Sequence, residues 1–309
     1  MQDDETMIPG ASGPDESPAE LGKFGHYTLV QELGRGAQGV VYLAEDTLLH
    51  RNVALKMLSG AAAQPGTLRE RFQREAEATS KLNHPGICGI HEMGEVEEIP
   101  YIAMQYVRGS TLADVVETAR TSQGDLSTHD ISRSLTGTFR QPGAASGDGA
   151  APVEARTAKG DLQDVVRLIE KAAHALHAAH EAGLVHRDVK PGNIMVTPEG
   201  DPVLLDFGLA RDLQGEEHIL TQSGQLVGTP AYMAPEQVFG VRDDVDRRTD
   251  VYALGVILYE CLTLQRPFDA ATANQLFQQI RNATATNPGF EQAMFGPGPP
   301  LRYTSVFFL

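Results

Sequence analysis

The stretch that decides the fold is His186-Arg187-Asp188-Val189-Lys190-Pro191-Gly192-Asn193, followed by Asp206-Phe207-Gly208 and then by Ala234-Pro235-Glu236. Each of these short motifs can arise by chance in an unrelated chain. Chance does not plausibly account for all of them in this order and at short separations. They are therefore interpreted as one constellation, together with two motifs that precede them.

The first of those two motifs is glycine-rich: Leu33-Gly34-Arg35-Gly36-Ala37-Gln38-Gly39-Val40-Val41 lies between two predicted strands. Glycines let backbone N–H groups approach phosphates without an intervening Cβ. The motif alone also fits a plain β-hairpin turn, or a dinucleotide-binding fingerprint, which requires a helix directly after the glycines. Because residues 40–45 (VVYLAE) have strand character, the pattern favours a loop that folds over a nucleotide.

The second motif is Val53-Ala54-Leu55-Lys56, in which a lysine ends an apolar strand. A single lysine in this position is usually a solvated edge residue. Here Glu75 lies on the next predicted helix and could pair with it. Such a pair would direct the Lys56 ammonium group toward the α- and β-phosphates of a nucleotide.

Together these motifs resemble the eukaryotic-like (Hanks-type) protein kinases, and most of all the bacterial Ser/Thr kinases, from about Tyr27 to about Asn282. The resemblance implies an α+β, two-lobed kinase fold: a small β-rich N-lobe with one helix and a larger, mainly helical C-lobe. It also implies ATP and Mg²⁺ as cofactors and proteins with Ser or Thr as substrates. A role in signalling, with autophosphorylation, is the expected function.

The same resemblance implies roles for single residues. Asp188 would accept the proton of the substrate hydroxyl, Lys190 would hold the γ-phosphate, and Asn193 and Asp206 would hold two Mg²⁺ ions, with Lys56 and Glu75 completing the catalytic set. These residue types suit phosphoryl transfer, which needs alignment and neutralisation of spreading negative charge. Nothing in the set requires a covalent nucleophile.

The nucleotide pocket is placed by the same resemblance. Met104 would be the gatekeeper and Gln105 to Val107 the hinge, where the family often has Glu in place of Gln105. The adenine contacts there come from the backbone, so this difference should matter little. The implied nucleotide-binding residues are Leu33, Gly34, Gly36, Gly39, Val41, Ala54, Lys56, Met104, Gln105, Val107 and Met195.

Substrate class and regulation follow from the loops. Lys190, two residues after Asp188, and Thr229 in Gly228-Thr229-Pro230 match the Ser/Thr branch of the family. Arg187 is expected to pair with a phosphorylated residue between Asp206 and Glu236. The leading phosphorylation sites are Thr221 and Ser223, and Thr229 is a weaker regulatory candidate because its hydroxyl should contact Asp188 and Lys190. A permanent salt bridge from Arg187 to Glu216 is the alternative.

The predicted organisation has four parts. Residues 1–26 form a disordered leader, 27–107 the N-lobe, 108–290 the C-lobe with a mobile insertion at 120–160, and 291–309 an atypical tail. The resemblance fails after Asn282, so we expect the C-lobe to be truncated and to fold poorly. In that case Glu236 would lack the arginine partner that the family supplies.

Composition limits the other possibilities. The formal charge is -16, which argues against nucleic acid as a partner. Cys88 and Cys261 lie outside any metal-binding spacing and fit a cytoplasmic, reducing compartment. No signal peptide is visible, and the apolar stretch Val251–Leu262 is too short to span a membrane, although an anchor in a longer relative remains open. A metal site at His174, His177 and His180 is disfavoured because no acidic cluster accompanies the histidines.

Two rival functions remain. A pseudokinase, which binds nucleotide without turnover, is opposed by the presence of Lys56, Asp188, Asn193 and Asp206, and is favoured by the missing C-terminal region. A small-molecule kinase of related fold is opposed by residues 229–236, which in protein kinases form a platform for peptides. An assay with labelled ATP and a generic protein substrate separates all three.

Overall fold

The computed structural model describes residues 21–36, 39–58, 73, 76–121, 158–207, 230–239 and 245–282. The predicted leader up to residue 20, most of the insertion and the tail at 291–309 lie outside these ranges. So do Glu75, Glu216, Thr221, Ser223 and Thr229, and the predictions made for them stay predictions.

The N-terminal half of the described chain is an antiparallel sheet of six strands in the order β1-β2-β3-β4-β6-β5. The predicted meander of three strands is confirmed as β2, β3 and β4, and the sheet continues on both sides of it. A strand, not a helix, follows the glycines, which excludes the dinucleotide-binding fingerprint. The strands are β1 Gly22–Phe24, β2 Tyr27–Gly36, β3 Gly39–Asp46, β4 Arg51–Leu58, β5 Ile90–Val96 and β6 Ile99–Gln105.

Strand β4 shows how this sheet separates its two faces. Successive side chains of a strand point to opposite faces. Val53 and Leu55 accordingly pack in an apolar cluster with Tyr27 and Tyr101, whereas Ala54 packs with a second cluster on the other face. The buried Lys56 lies on the same face as Ala54, so the sheet carries the lysine to the side that faces the rest of the molecule.

The C-terminal half is mainly helical, with one small sheet of three strands in the order β7-β8-β9. These strands are β7 Ser110–Thr111, β8 Ile194–Val196 and β9 Pro202–Leu204. The helices are α1 Leu112–Thr121, α2 Ala158–Glu181, α3 Pro235–Phe239, α4 Arg247–Thr263 and α5 Ala273–Asn282. Residues 76–80 are also helical and belong to the helix predicted for the N-lobe.

Helix α4 is the centre of the C-terminal half, as its apolar sequence predicts. It begins after Asp246, whose side chain accepts a hydrogen bond from the Arg248 N–H, and ends at Leu264 in the left-handed conformation. Ala253, Leu254 and Ile257 are buried in the largest apolar cluster, which also contains residues of α1 and α2. None of the helices in the described ranges is long and apolar enough to cross a membrane.

Glu236 has one partner in this half that the sequence interpretation did not name. The Thr249 hydroxyl of helix α4 donates a hydrogen bond of 2.6 Å to its Oε1 atom. This contact tests neither the expected lack of an arginine partner nor the wider expectation of poor folding, and both stay predictions.

Candidate active site

The loop at residues 186–193 connects α2 to β8 and brings two of the predicted residues, Lys190 and Asn193, to the carboxylate of a third, Asp188. Lys190 Nζ donates to Asp188 Oδ2 at 2.6 Å. Asn193 Nδ2 donates to the same oxygen at 3.1 Å and to the Asp188 carbonyl at 2.8 Å. A short 3₁₀ turn, Pro191–Asn193, places the asparagine close enough for both bonds. The carboxylate is thereby held in one orientation.

Lys56 and Asp206 meet across the two halves of the molecule. Lys56 Nζ lies 2.9 Å from Asp206 Oδ2, with the lysine side chain 8% exposed and the aspartate side chain 33% exposed. The predicted partner of Lys56, Glu75, lies outside the described residues. The structure thus brings the strand lysine to the aspartate of the Asp-Phe-Gly motif, and this aspartate still has access to solvent.

The backbone of the loop is fixed by Asp250, a residue that the sequence interpretation missed. Asp250 is fully buried. Its oxygens accept hydrogen bonds from the His186 and Arg187 N–H groups, each at 2.8 Å, and its Oδ2 lies 2.8 Å from His180 Nε2. An acidic residue in the first turn of a helix that is apolar on nearly all sides was the available signal. Such a carboxylate is buried only where it has partners.

His186 connects this loop to the segment after β9 that contains Asp206. Its Nε2 lies 2.9 Å from the Leu205 carbonyl, and its ring packs on Phe207 with 4.6 Å between ring centroids. The Leu205 N–H in turn donates to the Asn193 carbonyl at 2.8 Å. The loop of Asp188 and the segment of Asp206 are therefore joined by hydrogen bonds on both sides of Leu205.

An apolar cluster contains several of the residues predicted to surround the adenine ring. Its buried members include Ala54, Met104 and Val107, and Val41 and Met195 pack against them. Cys88 belongs to the same cluster, where burial and then the charge of Asp206 raise the pKa of its thiol to about 12. Because the thiolate is the reactive form, Cys88 acts as an apolar member of this cluster. The adenine site itself stays a prediction.

The three glycines of the glycine-rich motif differ in their surroundings. A Cβ atom on Gly39, whose φ is +153°, would lie 1.9 Å from the Met57 carbonyl oxygen. A Cβ atom on Gly34 or Gly36 would meet nothing within 4 Å. Gly39 is therefore required by the strand pairing itself, whereas the described residues around Gly34 and Gly36 leave room for a side chain. Leu33, which precedes them, is 43% exposed.

The three histidines of α2 differ in their exposure to solvent. His174 and His177 are exposed on the helix, while the side chain of His180 is buried against Asp250. In the described part of the chain, no group of three or more His, Cys, Asp or Glu side chains is arranged to hold a metal ion. His180 thus has a structural role in fixing Asp250.

Comparisons with known proteins agree with this geometry. Residues 27–292 match the model of the family described as protein tyrosine and serine/threonine kinase. The chain is 34% identical over 291 residues to a probable serine/threonine-protein kinase PknB of Bifidobacterium longum, covering 91% of this chain and 36% of that protein.

Two further relatives give the same result. The serine/threonine-protein kinase PknB of Mycolicibacterium smegmatis is 37% identical over 78% of this chain and 33% of its own length. A probable serine/threonine-protein kinase of Streptomyces coelicolor is 37% identical over 82% of this chain and 32% of its own length. The chain therefore spans about a third of the length of the curated relatives it matches.

Proposed function

The chain belongs to the protein tyrosine and serine/threonine kinase family, and from this premise we propose that it transfers the γ-phosphate of ATP to Ser or Thr hydroxyls of proteins. The observation that carries the proposal is that Asp188, Lys190 and Asn193 bond to one another and Lys56 bonds to Asp206, beside an apolar cluster. The names of the relatives support Ser/Thr as the acceptor.

Asp188 is the residue that receives the substrate hydroxyl. Lys190 and Asn193 both bind its Oδ2 atom, so the carboxylate has a fixed direction beside an ammonium group. A carboxylate held in this way orients the hydroxyl and accepts its proton as the bond to phosphorus forms. Lys190 lies close enough to the same point to neutralise charge on the transferred group.

The residues present also fit Mg²⁺, which prefers oxygen ligands. Asn193 commits its Nδ2 atom to Asp188, so its carbonyl oxygen is the atom that would coordinate a metal ion, together with the partly exposed carboxylate of Asp206. Bound there, Mg²⁺ would neutralise the phosphate oxygens. Lys56 would then turn from Asp206 to the nucleotide phosphates, a move that its flexible side chain permits.

Asp188→Asn tests the proposal. The asparagine keeps the size of the side chain but cannot accept a proton, so phosphate transfer from labelled ATP to a Ser/Thr protein substrate should fall by about 10²–10⁴-fold. ATP affinity should change less than about twofold, because Asp188 acts on the hydroxyl and not on the nucleotide. Asp201→Asn, an exposed aspartate in the turn between β8 and β9, is the matched control and should leave transfer unchanged. Equal turnover in wild type and Asp188→Asn would contradict the assignment.

The rival functions predict other results in the same assay. A pseudokinase binds ATP but transfers nothing to any substrate, and a small-molecule kinase transfers phosphate to low-molecular-weight alcohols and not to proteins. Tyr232 and Ala234 are fixed by hydrogen bonds to Glu260 of α4 and to Gln237, and Gln237 bonds to the loop of residues 186–193, which we call the catalytic loop. A segment anchored in this way beside the catalytic loop supports a protein substrate. The charge of -16 and the free cysteines support a cytoplasmic protein that does not bind nucleic acid.

We also propose that phosphorylation of Thr221 or Ser223 activates the enzyme through Arg187. Arg187 is exposed, and its guanidinium makes no ion pair within the described ranges. A phosphate brings about -1.5 to -2 charges and would order the loop on this cation. Mass spectrometry after incubation with ATP should find phosphate at these sites, and Arg187→Gln should abolish the accompanying rise in activity. Full activity without phosphate between Asp206 and Glu236 would contradict this mechanism.

A further inference from the structure

Gln237 lies on the short helix α3 and bonds both to the catalytic loop, at Arg187, and to the segment just before α3, at Ala234. The side chain is 5% exposed. Its Nε2 donates to the Arg187 carbonyl at 2.8 Å, and its Oε1 accepts from the Ala234 N–H at 3.0 Å. The orientation of the amide is unambiguous, because a carbonyl can only accept and a backbone N–H can only donate. Both ends of the side chain are therefore in use.

The bond to Arg187 matters because this residue has a strained backbone. Its φ is +64°, in the left-handed region that L-residues adopt at a cost and keep only where the surroundings impose it. Asp250 holds the N–H of Arg187 from one side, and Gln237 holds its carbonyl from the other. That carbonyl belongs to the peptide bond that leads into Asp188. The direction of the Asp188 side chain thus depends on both contacts.

The bond to Ala234 reaches the segment that would receive a peptide substrate. Residues 230–232 form a 3₁₀ turn, and Tyr232 donates a hydrogen bond of 2.5 Å to the buried Glu260 of α4. This contact fixes the start of the segment, and Gln237 fixes its end. The amide of Gln237 therefore links residues 230–234, called the substrate segment below, to the loop of Asp188.

We propose that Gln237 is a positioning residue that sets the register between the peptide substrate and the carboxylate of Asp188. The inference rests on the proposed kinase function. The loss of Gln237 should lower the turnover of peptide phosphorylation. ATP affinity should stay within about twofold, because the hydrogen bonds of Gln237 go to Arg187 and Ala234 and not to Lys56 or the apolar cluster. A small displacement of a reacting group can cost about 10²-fold in rate, and a loss of at least tenfold in kcat is the expected effect.

Gln237→Glu gives a pH-dependent result that distinguishes a positioning role of Gln237 from a merely structural one. When ionised, the carboxylate still accepts from the Ala234 N–H but repels the Arg187 carbonyl. When protonated, its O–H replaces the lost donor. The ratio of kcat in Gln237→Glu to kcat in wild type should therefore rise as the pH falls from about 8 to about 6, since an unperturbed Glu titrates near pH 4.3 and burial raises that value.

Other groups in the same small cavity titrate or carry charge, and the ratio removes their contribution. They are Arg187, Asp188, Lys190, Tyr232 and Asp250. They are shared by wild type and by the control Gln278→Glu, an exposed position on α5 that adds the same charge away from any strained carbonyl. The control ratio should stay near one at every pH. A Gln237→Glu ratio that equals the control ratio would overturn the inference.

Amide hydrogen exchange decides the matter without turnover. Gln237→Ala should speed exchange of the Ala234 and Asp188 N–H groups at least tenfold and leave that of the Leu205 N–H unchanged. Unchanged exchange at Ala234 and Asp188 overturns the inference. An inactive wild-type chain would contradict the proposed function instead, and the exchange rates would then support or overturn the positioning role by themselves.

Discussion

The two halves of the molecule hold their buried carboxylates in different ways. In the N-terminal sheet, the buried carboxylate of Asp46 accepts from the N–H groups of Leu48 and Leu49, two and three residues away. In the C-terminal half, Asp250 bonds to residues 63 and 64 positions away, and Glu260 bonds to Arg120, 140 positions away. The buried carboxylate of the sheet is thus held by local bonds, and those of the helical half by bonds between residues far apart in the sequence.

Glu260 shows what the long-range bonds achieve. The carboxylate is 2% exposed. One of its oxygens accepts a hydrogen bond of 2.6 Å from Arg120, and the other accepts one of 2.5 Å from the Tyr232 hydroxyl. Burial, and then the charge of Glu260, raise the pKa of Tyr232 well above its ordinary value, so this hydroxyl keeps its proton. Arg120 also donates to the Leu264 carbonyl at the end of α4. A buried network of this kind specifies one arrangement of α1, α4 and the substrate segment.

The comparison predicts that the largest effect comes from Asp250→Ala. Three partners lose their acceptor at once, among them the N–H groups of His186 and Arg187. Removing one member of a buried charged network costs about 3–5 kcal/mol in the free energy of unfolding. Chemical denaturation should show this loss, together with a loss of turnover.

Asp246→Ala is the control on the same helix. Asp246 caps the N-terminus of α4 through the Arg248 N–H at 2.8 Å, and loss of such a cap costs about 1 kcal/mol. If both substitutions destabilised the protein equally, the helical half would depend on the local bonds of α4, and the contrast between the two halves would not hold.

Gly39→Ala probes the other half and should have the second-largest effect. The new methyl group would collide with the Met57 carbonyl, so β3 and β4 must separate, at a cost of about 2–4 kcal/mol. Gly34→Ala makes the same chemical change in the same glycine-rich motif, but its new methyl group has no neighbour within 4 Å. The free energy of unfolding should therefore change by less than about 0.5 kcal/mol. Its effect should appear as weaker ATP binding, measured by titration calorimetry. Equal destabilisation by Gly39→Ala and Gly34→Ala would contradict the view that Gly39 serves strand pairing and Gly34 serves ATP binding.

The difference between the halves also explains how far the sequence could be interpreted. The strands around Lys56 follow from apolar alternation and from turns, which are local properties. The loop that contains Asp188 could be assigned from its motif, but its support by Asp250 and Gln237 could not, because those bonds join residues far apart in the sequence. The hydrogen bond from Thr249 to Glu236 could not be predicted for the same reason, since the hydroxyl approaches the carboxylate only in the folded chain.

The smallest predicted effect is a gain of stability in the turn between β5 and β6. Val96 pairs with Ile99, so Glu97 and Glu98 form a two-residue turn, and both have positive φ, +49° and +64°. This is the type I′ geometry that Asn-Gly adopts readily. Glu97→Asn with Glu98→Gly should raise the free energy of unfolding by about 1–2 kcal/mol.

This turn lies at the opposite end of β6 from Gln105, roughly 20 Å from the predicted hinge at about 3.3 Å per residue. Because of this distance, phosphate transfer should not change in the double variant. Glu97→Gln keeps the side chain long and the backbone cost in place, so it should leave stability unaltered in the same denaturation experiment. A change in turnover with the Asn-Gly turn would mean that strain in this hairpin reaches the active site, and the sheet would then share the long-range coupling of the helical half.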